Sequence, residues 1–272
     1  MTAAVGNVAS YRHPDGPEVE VVATPEALDA RAAEIVTNAI TEGVAGTIAL
    51  PTGSTPIGLY RLLSDAVADG RLSMDGVVVF QLDEFRNLQP DDPQSFAAWL
   101  RREVLDTAGI GPDRFHLVPA TAADPDAAGA GFETLIDRGG GLDLAVLGLG
   151  DNGHVAFNEP GSPADSRTRL LTLSGETIDQ TARTWAAASD VPREAVTMGV
   201  GTLLEAKAIL LLVKGAAKAD VVRRVLIDEP SADVPGSFMR RAGPRLTVVL
   251  DAAAGAGIAE ELQGWEPIPP AS

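Results

Sequence analysis

Short runs of almost uniformly apolar residues punctuate the chain, at 47–50, 77–82, 142–149, 209–213 and 246–250, and the stretches between them carry helix-like spacing. A run of roughly four to eight apolar residues is short for a buried helix, and without polar alternate positions it has no face for water. Such strands need cover on both sides, which helical crossovers supply. The order therefore predicts a three-layer α/β/α fold around a largely parallel, Rossmann-like sheet.

Further strands are expected at 19–23, 115–118 and 169–173. Thr24-Pro25-Glu26 combines a cap, a first-turn proline and an early acid, and opens a helix that runs to about residue 42. Ser95 is expected to cap a helix carrying Phe96, Trp99, Leu100 and Val104. Other helical patterns run up to Leu63 and over 125–138, 177–188 and 217–227. Residues 1–17 read as a weakly ordered start, and the Pro-rich 264–272 as a loose tail or surface strap. No linker-like stretch divides 1–272, which is expected to form a single α/β domain.

Lys and Arg number 21 against 38 Asp and Glu, a net charge of −17. A field of that sign repels nucleic acid and anionic membranes, so neither is an expected partner, and an anionic substrate must be held by a few local cations. With no cysteine, disulfides, zinc-thiolate sites and a catalytic thiol are excluded. Residues 1–16 lack a basic-then-apolar leader, and no run approaches the ~20 apolar residues of a membrane span. The expected location is cytoplasmic.

Chemistry is expected where apolar strands end, since open α/β sheets bind ligands beyond the carboxyl ends of their strands. The run 142–149 passes into Gly150-Asp151-Asn152-Gly153-His154-Val155-Ala156-Phe157-Asn158-Glu159-Pro160. His154 there fits an acid-base role, with a structural histidine or a weak His/Glu metal site as competing readings. Asp83 and Glu84 follow 77–82, and either could be a general base or part of a solvated acidic turn. Pro51-Thr52-Gly53-Ser54-Thr55-Pro56 lies between a strand and a helix, and reads as an anion cradle or an ordinary capped turn. Arg183 and Lys218 are candidate phosphate partners, with Lys214 a nearby decoy; each alone reads as a surface cation.

Taken together, these segments resemble the glucosamine-6-phosphate deaminase family, within a larger group that includes 6-phosphogluconolactonases and ribose-5-phosphate isomerases. Four motifs match in order over roughly 47–251: residues 50–56; Leu82-Asp83-Glu84-Phe85 with Asp92-Pro93-Gln94-Ser95-Phe96; Gly148 to Pro160 continuing to Ser166-Arg167-Thr168-Arg169; and Val191-Pro192 through Thr197-Met198-Gly199-Val200-Gly201-Thr202. The resemblance implies that Asp83 moves a proton from C2 to C1 of the open-chain amino sugar. It implies that His154 assists ring opening, oriented or tuned by Glu159 and Asn152, and that Gly53, Ser54, Thr55, Arg183 and Lys218 hold the phosphate. It implies no metal and no organic cofactor, and a homo-oligomer is left open.

Two positions depart from the family pattern. Residue 152 is Asn where some members carry Asp, and Ser237-Phe238-Met239-Arg240-Arg241-Ala242-Gly243-Pro244 lacks the Gln and His usual there. Galactosamine 6-phosphate deamination, lactone hydrolysis and a non-catalytic sugar-phosphate regulator are the rival readings.

Overall fold

The computed structural model describes residues 8–185 and 190–269. Its strands are β1 (Ala9–Arg12), β2 (Glu18–Val22), β3 (Thr47–Leu50), β4 (Val78–Gln81), β5 (Asp83–Phe85), β6 (Phe115–His116), β7 (Leu144–Gly148), β8 (Arg169–Thr172), β9 (Glu194–Thr197), β10 (Ala208–Val213), β11 (Leu246–Asp251) and β12 (Glu266–Ile268). The α-helices are α1 (Pro25–Thr41), α2 (Ile57–Ala68), α3 (Phe96–Leu100), α4 (Pro125–Arg138), α5 (Gly175–Thr181), α6 (Val200–Leu204), α7 (Ala219–Leu226) and α8 (Ala252–Gly255).

One sheet has the order β12-β1-β2-β11-β10-β7-β3-β4-β6, and every pair from β2 to β6 is parallel. Alternate residues of its central strands feed two separate apolar layers. Leu144, Val146, Leu210, Leu212 and Val249 pack with Leu28, Val36, Leu59 and Leu63 of α1 and α2. Ala145, Leu147, Leu211, Val213, Val248 and Leu250 pack with Phe132, Leu203, Val222 and Val225 of α4, α6 and α7. Each fully buried aliphatic side chain contributes about 1.5–3 kcal/mol, so a strand covered on both faces gains far more from packing than the roughly 1 kcal/mol spanned by strand propensities.

Capping side chains set the helix starts. Thr24 Oγ1 accepts from Ala27 N (3.2 Å), Ser95 Oγ from Ala98 N (3.0 Å) and Asp124 Oδ1 from Ala127 N (3.0 Å). Several boundaries differ from the sequence expectation for identifiable reasons. β7 begins at Leu144 because Asp143 turns its carboxylate to the Gly46 and Thr47 amides (2.9 and 2.8 Å) and to Lys207 (2.7 Å). α3 runs on through a π-type turn at Arg101–Leu105. The helix expected at 177–188 is α5 followed by a 3-10 turn, Ala182–Thr184, and residues 186–189 lie outside the described residues. The helix expected at 217–227 starts as the 3-10 turn Ala216–Lys218 and continues as α7.

The two chain ends also differ from expectation. Within the start read as weakly ordered, Ala9–Arg12 forms β1, and within the expected loose tail Glu266–Ile268 forms β12, paired antiparallel to it. Tyr11 and Trp265 pack against the core, and the His13 ring meets Trp265 edge-on at 4.7 Å, which holds both ends on the sheet. Residues 1–7 and 270–272 lie outside the described residues.

A small antiparallel sheet, β5-β9-β8, stands apart from the main one and was not anticipated. Its short strands bring a third apolar cluster, Phe85, Phe157, Leu173, Val191 and Ala195, over the carboxyl end of the main sheet. The main sheet reverses its winding between β3 and β7: from β3 the chain proceeds to β4 and β6 on one side, and from β7 to β10 and β11 on the other. Crossovers leaving in opposite directions open a crevice at such a point.

Candidate active site

A cavity of about 240 Å³ fills that crevice, and the loops after β3 and β7 form two of its walls. In the first loop, 51–56, two carbonyls are engaged by side chains: Tyr60 Oη donates to Pro51 O (2.6 Å) and Lys214 Nζ to Thr55 O (2.8 Å). Among the described residues the backbone N–H groups of Thr52, Gly53, Ser54 and Thr55 have no acceptor. Gly53 has φ +97°, a left-handed conformation that favours glycine. The amides at the N-terminus of α2 and the Ser54 and Thr55 residues therefore leave a row of donors beside the cavity, and the loop is not a self-satisfied turn. Lys214 is also ion-paired to Asp29 and serves as the underside of this loop.

The cation inside the cavity is Lys218, whose Nζ donates to Leu149 O (2.6 Å) and pairs with Asp151. Arg183 is exposed, on the turn after α5, and is absent from the cavity wall; Gln180, three residues earlier, is part of it.

Asp83 and Glu84 are both buried but have different duties. The Glu84 carboxylate accepts from Gln81 Nε2 (2.9 Å), Phe85 N (3.0 Å), Phe96 N (3.1 Å) and Ala97 N (3.0 Å), so it is consumed in fixing the start of α3. Burial raises its pKa, and those donors offset part of the rise. Asp83 lines the cavity, is 6 % exposed, and accepts no hydrogen bond among the described residues. Burial, together with the Glu84 charge next to it, pushes its carboxyl up to about 8. Of the two carboxylates, Asp83 is the one available for proton transfer.

The loop after β7 carries His154 into the same cavity. Glu159 Oε2 accepts from Asn152 Nδ2 (2.8 Å), Asn152 Oδ1 accepts from the His154 amide (3.1 Å), and Glu159 Oε1 lies 3.3 Å from the Ser174 amide. His154 Nδ1 is enclosed without a hydrogen-bond partner, 3.9 Å from Glu159 Oε2, which leaves Nε2 as the nitrogen with access to the cavity. Burial lowers the imidazole pKa, opposed by Glu159 and reinforced by Lys218, so the ring is neutral near pH 7. Gly150 sits directly beneath it: an added Cβ would lie 2.4 Å from His154 Cε1 and Nε2.

β9 ties the two halves together. Thr197 is the register partner of Asp83, its Oγ1 accepts from the Phe157 amide (3.1 Å), and Met198 N donates to Leu82 O (2.8 Å). Asn158 Nδ2 donates to Met198 O (2.8 Å) and Val155 O (3.0 Å), and Arg169 Nη1 donates to Asn158 Oδ1 (2.9 Å). The cavity thus gathers Asp83, His154, Gly53, Ser54, Thr55 and Lys218, while Asn152 and Glu159 stand behind His154. The sequence reading did not single out Thr197 or Gln180. Thr197 lies in a matched motif that signalled its importance without its role, and Gln180 carries no sequence signal. The atypical 237–244 segment is largely buried, following Gly236, whose amide donates to Gly153 O (2.8 Å) at the root of the His154 loop. Among the described residues no group of three or more His, Cys, Asp or Glu side chains is placed to hold a metal, and no helix is long and apolar enough to cross a membrane.

Comparison with known proteins shows which family the chain resembles over most of its length. A curated glucosamine-6-phosphate deaminase of Rhodopirellula baltica is 42 % identical over 237 residues, covering 87 % of this chain and 94 % of the relative. One from Hahella chejuensis is 39 % identical, covering 86 % and 88 %. A solved structure of a monomeric glucosamine-6-phosphate deaminase superposes with a TM-score of 0.84 at 35 % identity, covering 88 % of this chain and 98 % of that one. The 6-phosphogluconolactonase of Trypanosoma brucei superposes at 0.72 with 23 % identity, covering 89 % and 98 %, a likeness of fold alone. The model of the glucosamine-6-phosphate isomerase/6-phosphogluconolactonase family matches residues 22–248, and with these relatives it places the chain in that family.

Proposed function

We propose that this chain is a glucosamine-6-phosphate deaminase, converting glucosamine 6-phosphate and water to fructose 6-phosphate and ammonia. The phosphate sits on the amides of 52–55 and the Ser54 and Thr55 hydroxyls, opposite Lys218, with Arg183 adding positive charge from the turn after α5. His154, neutral and held by Asn152 and Glu159, transfers a proton at the ring oxygen to open the sugar. Asp83 removes the C2 proton to give an enolamine and returns it at C1. Water then attacks C2 of the resulting imine, and ammonia departs.

One observation carries this reading: a buried carboxylate without hydrogen bonds, Asp83, faces the same cavity as a neutral histidine and a row of free amides. Such a carboxylate is a far stronger base than one in water, which abstraction of a carbon-bound proton requires. Lactone hydrolysis would leave Asp83 without a task. A sugar phosphate carries too much charge to cross a bilayer unaided, which supports a cytoplasmic place for the reaction.

The test is release of ammonia and fructose 6-phosphate from glucosamine 6-phosphate, beside galactosamine 6-phosphate and 6-phosphogluconolactone. The reading expects equimolar products from the gluco substrate and little turnover of the other two. Preferred turnover of the lactone, or no ammonia from either amino sugar, would overturn it.

A further inference from the structure

Two lysines stand at the ends of the turn 214–218 that follows β10, and they face different ways. Lys218 lines the cavity; Lys214 does not, and its ammonium reaches the loop 51–56 instead, donating to Thr55 O (2.8 Å) and pairing with Asp29 of α1. Both members of that pair are largely buried, with side chains 17 % and 15 % exposed. Asp29 takes up the charge of Lys214, so this lysine is not a counter-ion for a ligand. We propose that Lys214 is a positioning residue for phosphate binding: braced by Asp29, it holds the Thr55 carbonyl from outside the cavity and so keeps the amides of 52–55 presented to the anion. The inference rests on the sugar-phosphate assignment of this cavity.

The loop needs such a hold. Among the described residues its carbonyls are bound by side chains at two points, Pro51 O by Tyr60 and Thr55 O by Lys214. Between them the amides of 52–55 have no acceptor and Gly53 sits at φ +97°, so hydrogen bonds within the loop do not fix its shape. Thr55 precedes Pro56, so the peptide that joins them has a carbonyl and no N–H. Rotated toward the cavity, that carbonyl would set a partial negative charge against the phosphate, and its charge-assisted bond to Lys214 prevents the rotation. The brace is fixed on both sides. A Cβ added at Gly58, in the first turn of α2, would overlap the Asp29 carboxylate, which fills the space that glycine leaves. Beyond Lys214, the Asp251 oxygens accept from Gly215 N (3.0 and 2.9 Å) and Oδ1 also from Ala254 N (2.7 Å), with Gly215 at φ +90°. One anchored turn thus carries both the cation of the anion site and the support of its amides.

Lys214→Met keeps the stem and removes the ammonium. It is expected to bind fructose 6-phosphate and inorganic phosphate about tenfold more weakly, the worth of roughly one charge-assisted hydrogen bond to the anion. In turnover KM should rise by the same factor while kcat stays within about twofold, because the brace touches no reacting atom. Lys214→Arg, which retains charge and donors, should remain within about threefold of the wild type. Lys207→Met is the control: it breaks an ion pair with Asp143 at the opposite end of β10 and should leave phosphate binding unchanged. Loss of Lys214 also leaves Asp29 buried and unpaired, so the double variant Asp29→Leu/Lys214→Met removes both charges. It should bind phosphate as weakly as the single variant, and it answers the same question should the single variant not fold. Titration calorimetry with the two ligands reads all of this without turnover, so absence of deaminase activity would not disturb the result. Wild-type phosphate affinity in folded Lys214→Met, an equal loss in Lys207→Met, or a fall in kcat without a rise in KM would overturn the proposal. So would full recovery in the double variant, which would make the Asp29 charge, and not the position of the loop, the cause. A wild type that binds neither ligand would remove the sugar-phosphate assignment and this inference with it.

Discussion

Exchange of Asp83 for Asn removes a charge from a site that solvates it poorly, and the structure gives the size and sign of the effect. The carboxyl is pushed up to about 8 in the folded chain from a value of 3.8 when unburied. Between those pH values the folded protein holds a proton that the unfolded chain has lost, so wild-type stability falls as pH rises through that window. The slope from this group is about 1.4 kcal/mol per pH unit, and from about pH 5 to about pH 7.5 it accumulates to roughly 3 kcal/mol. Asn does not titrate and lacks this slope. A buried amide without partners carries its own cost of about 1–3 kcal/mol, but that cost is the same at both pH values. The diagnostic is therefore the change in the stability difference between Asp83→Asn and wild type, measured by urea unfolding at the two pH values, with Glu84 and every other titrating group common to both proteins. The variant should gain on the wild type by about 3 kcal/mol as pH rises. A difference that does not change with pH would refute the argument that burial governs this carboxylate.

The same shift sets the activity profile: a base must be ionised, so kcat/KM should climb with pH along an acid limb approaching about 8, and a limb near the ordinary carboxylate range would contradict the geometry. Lys218→Ala should raise KM for glucosamine 6-phosphate tenfold or more, by an estimate of about 1.4 kcal/mol or above for a lost charge-assisted contact, with a smaller fall in kcat; steady-state kinetics decide this. Gly150→Ala would put a methyl group 2.4 Å from the His154 ring, and the displaced imidazole should cost about a hundredfold in kcat with folding retained, checked by rate and circular dichroism together.

The central strands were legible in the sequence because β7, β10 and β11 are apolar at nearly every position, not only at alternate ones, which only a doubly covered sheet tolerates. The caps at Thr24 and Ser95 made two helix starts equally readable. β1 and β12 were not legible, since their anchors are single aromatics, Tyr11 and Trp265, set among polar residues and meeting only in three dimensions. β9 escaped notice because Glu194–Thr197 is short and mixed, and its value lies in joining Asp83 to the His154 loop. In the site, spacing could bring Asp83 and Glu84 to a strand end but could not divide their roles. That division depends on α3, whose first amides claim Glu84 and leave Asp83 unbonded. The pairing of Asp151 with Lys218 and Gln180 joins three elements distant in sequence, and no local pattern encodes it.

Turnover of glucosamine 6-phosphate by Asp83→Asn, measured as ammonia release beside the wild type at saturating substrate, tests the central claim most directly. The wild type should release one ammonia per fructose 6-phosphate, and the variant, folded and still binding substrate, should be slower by about a hundred- to ten-thousandfold, the range for loss of a positioned base. Ammonia release by the variant within about tenfold of the wild-type rate would contradict the assignment of Asp83 as the group that moves the C2 proton.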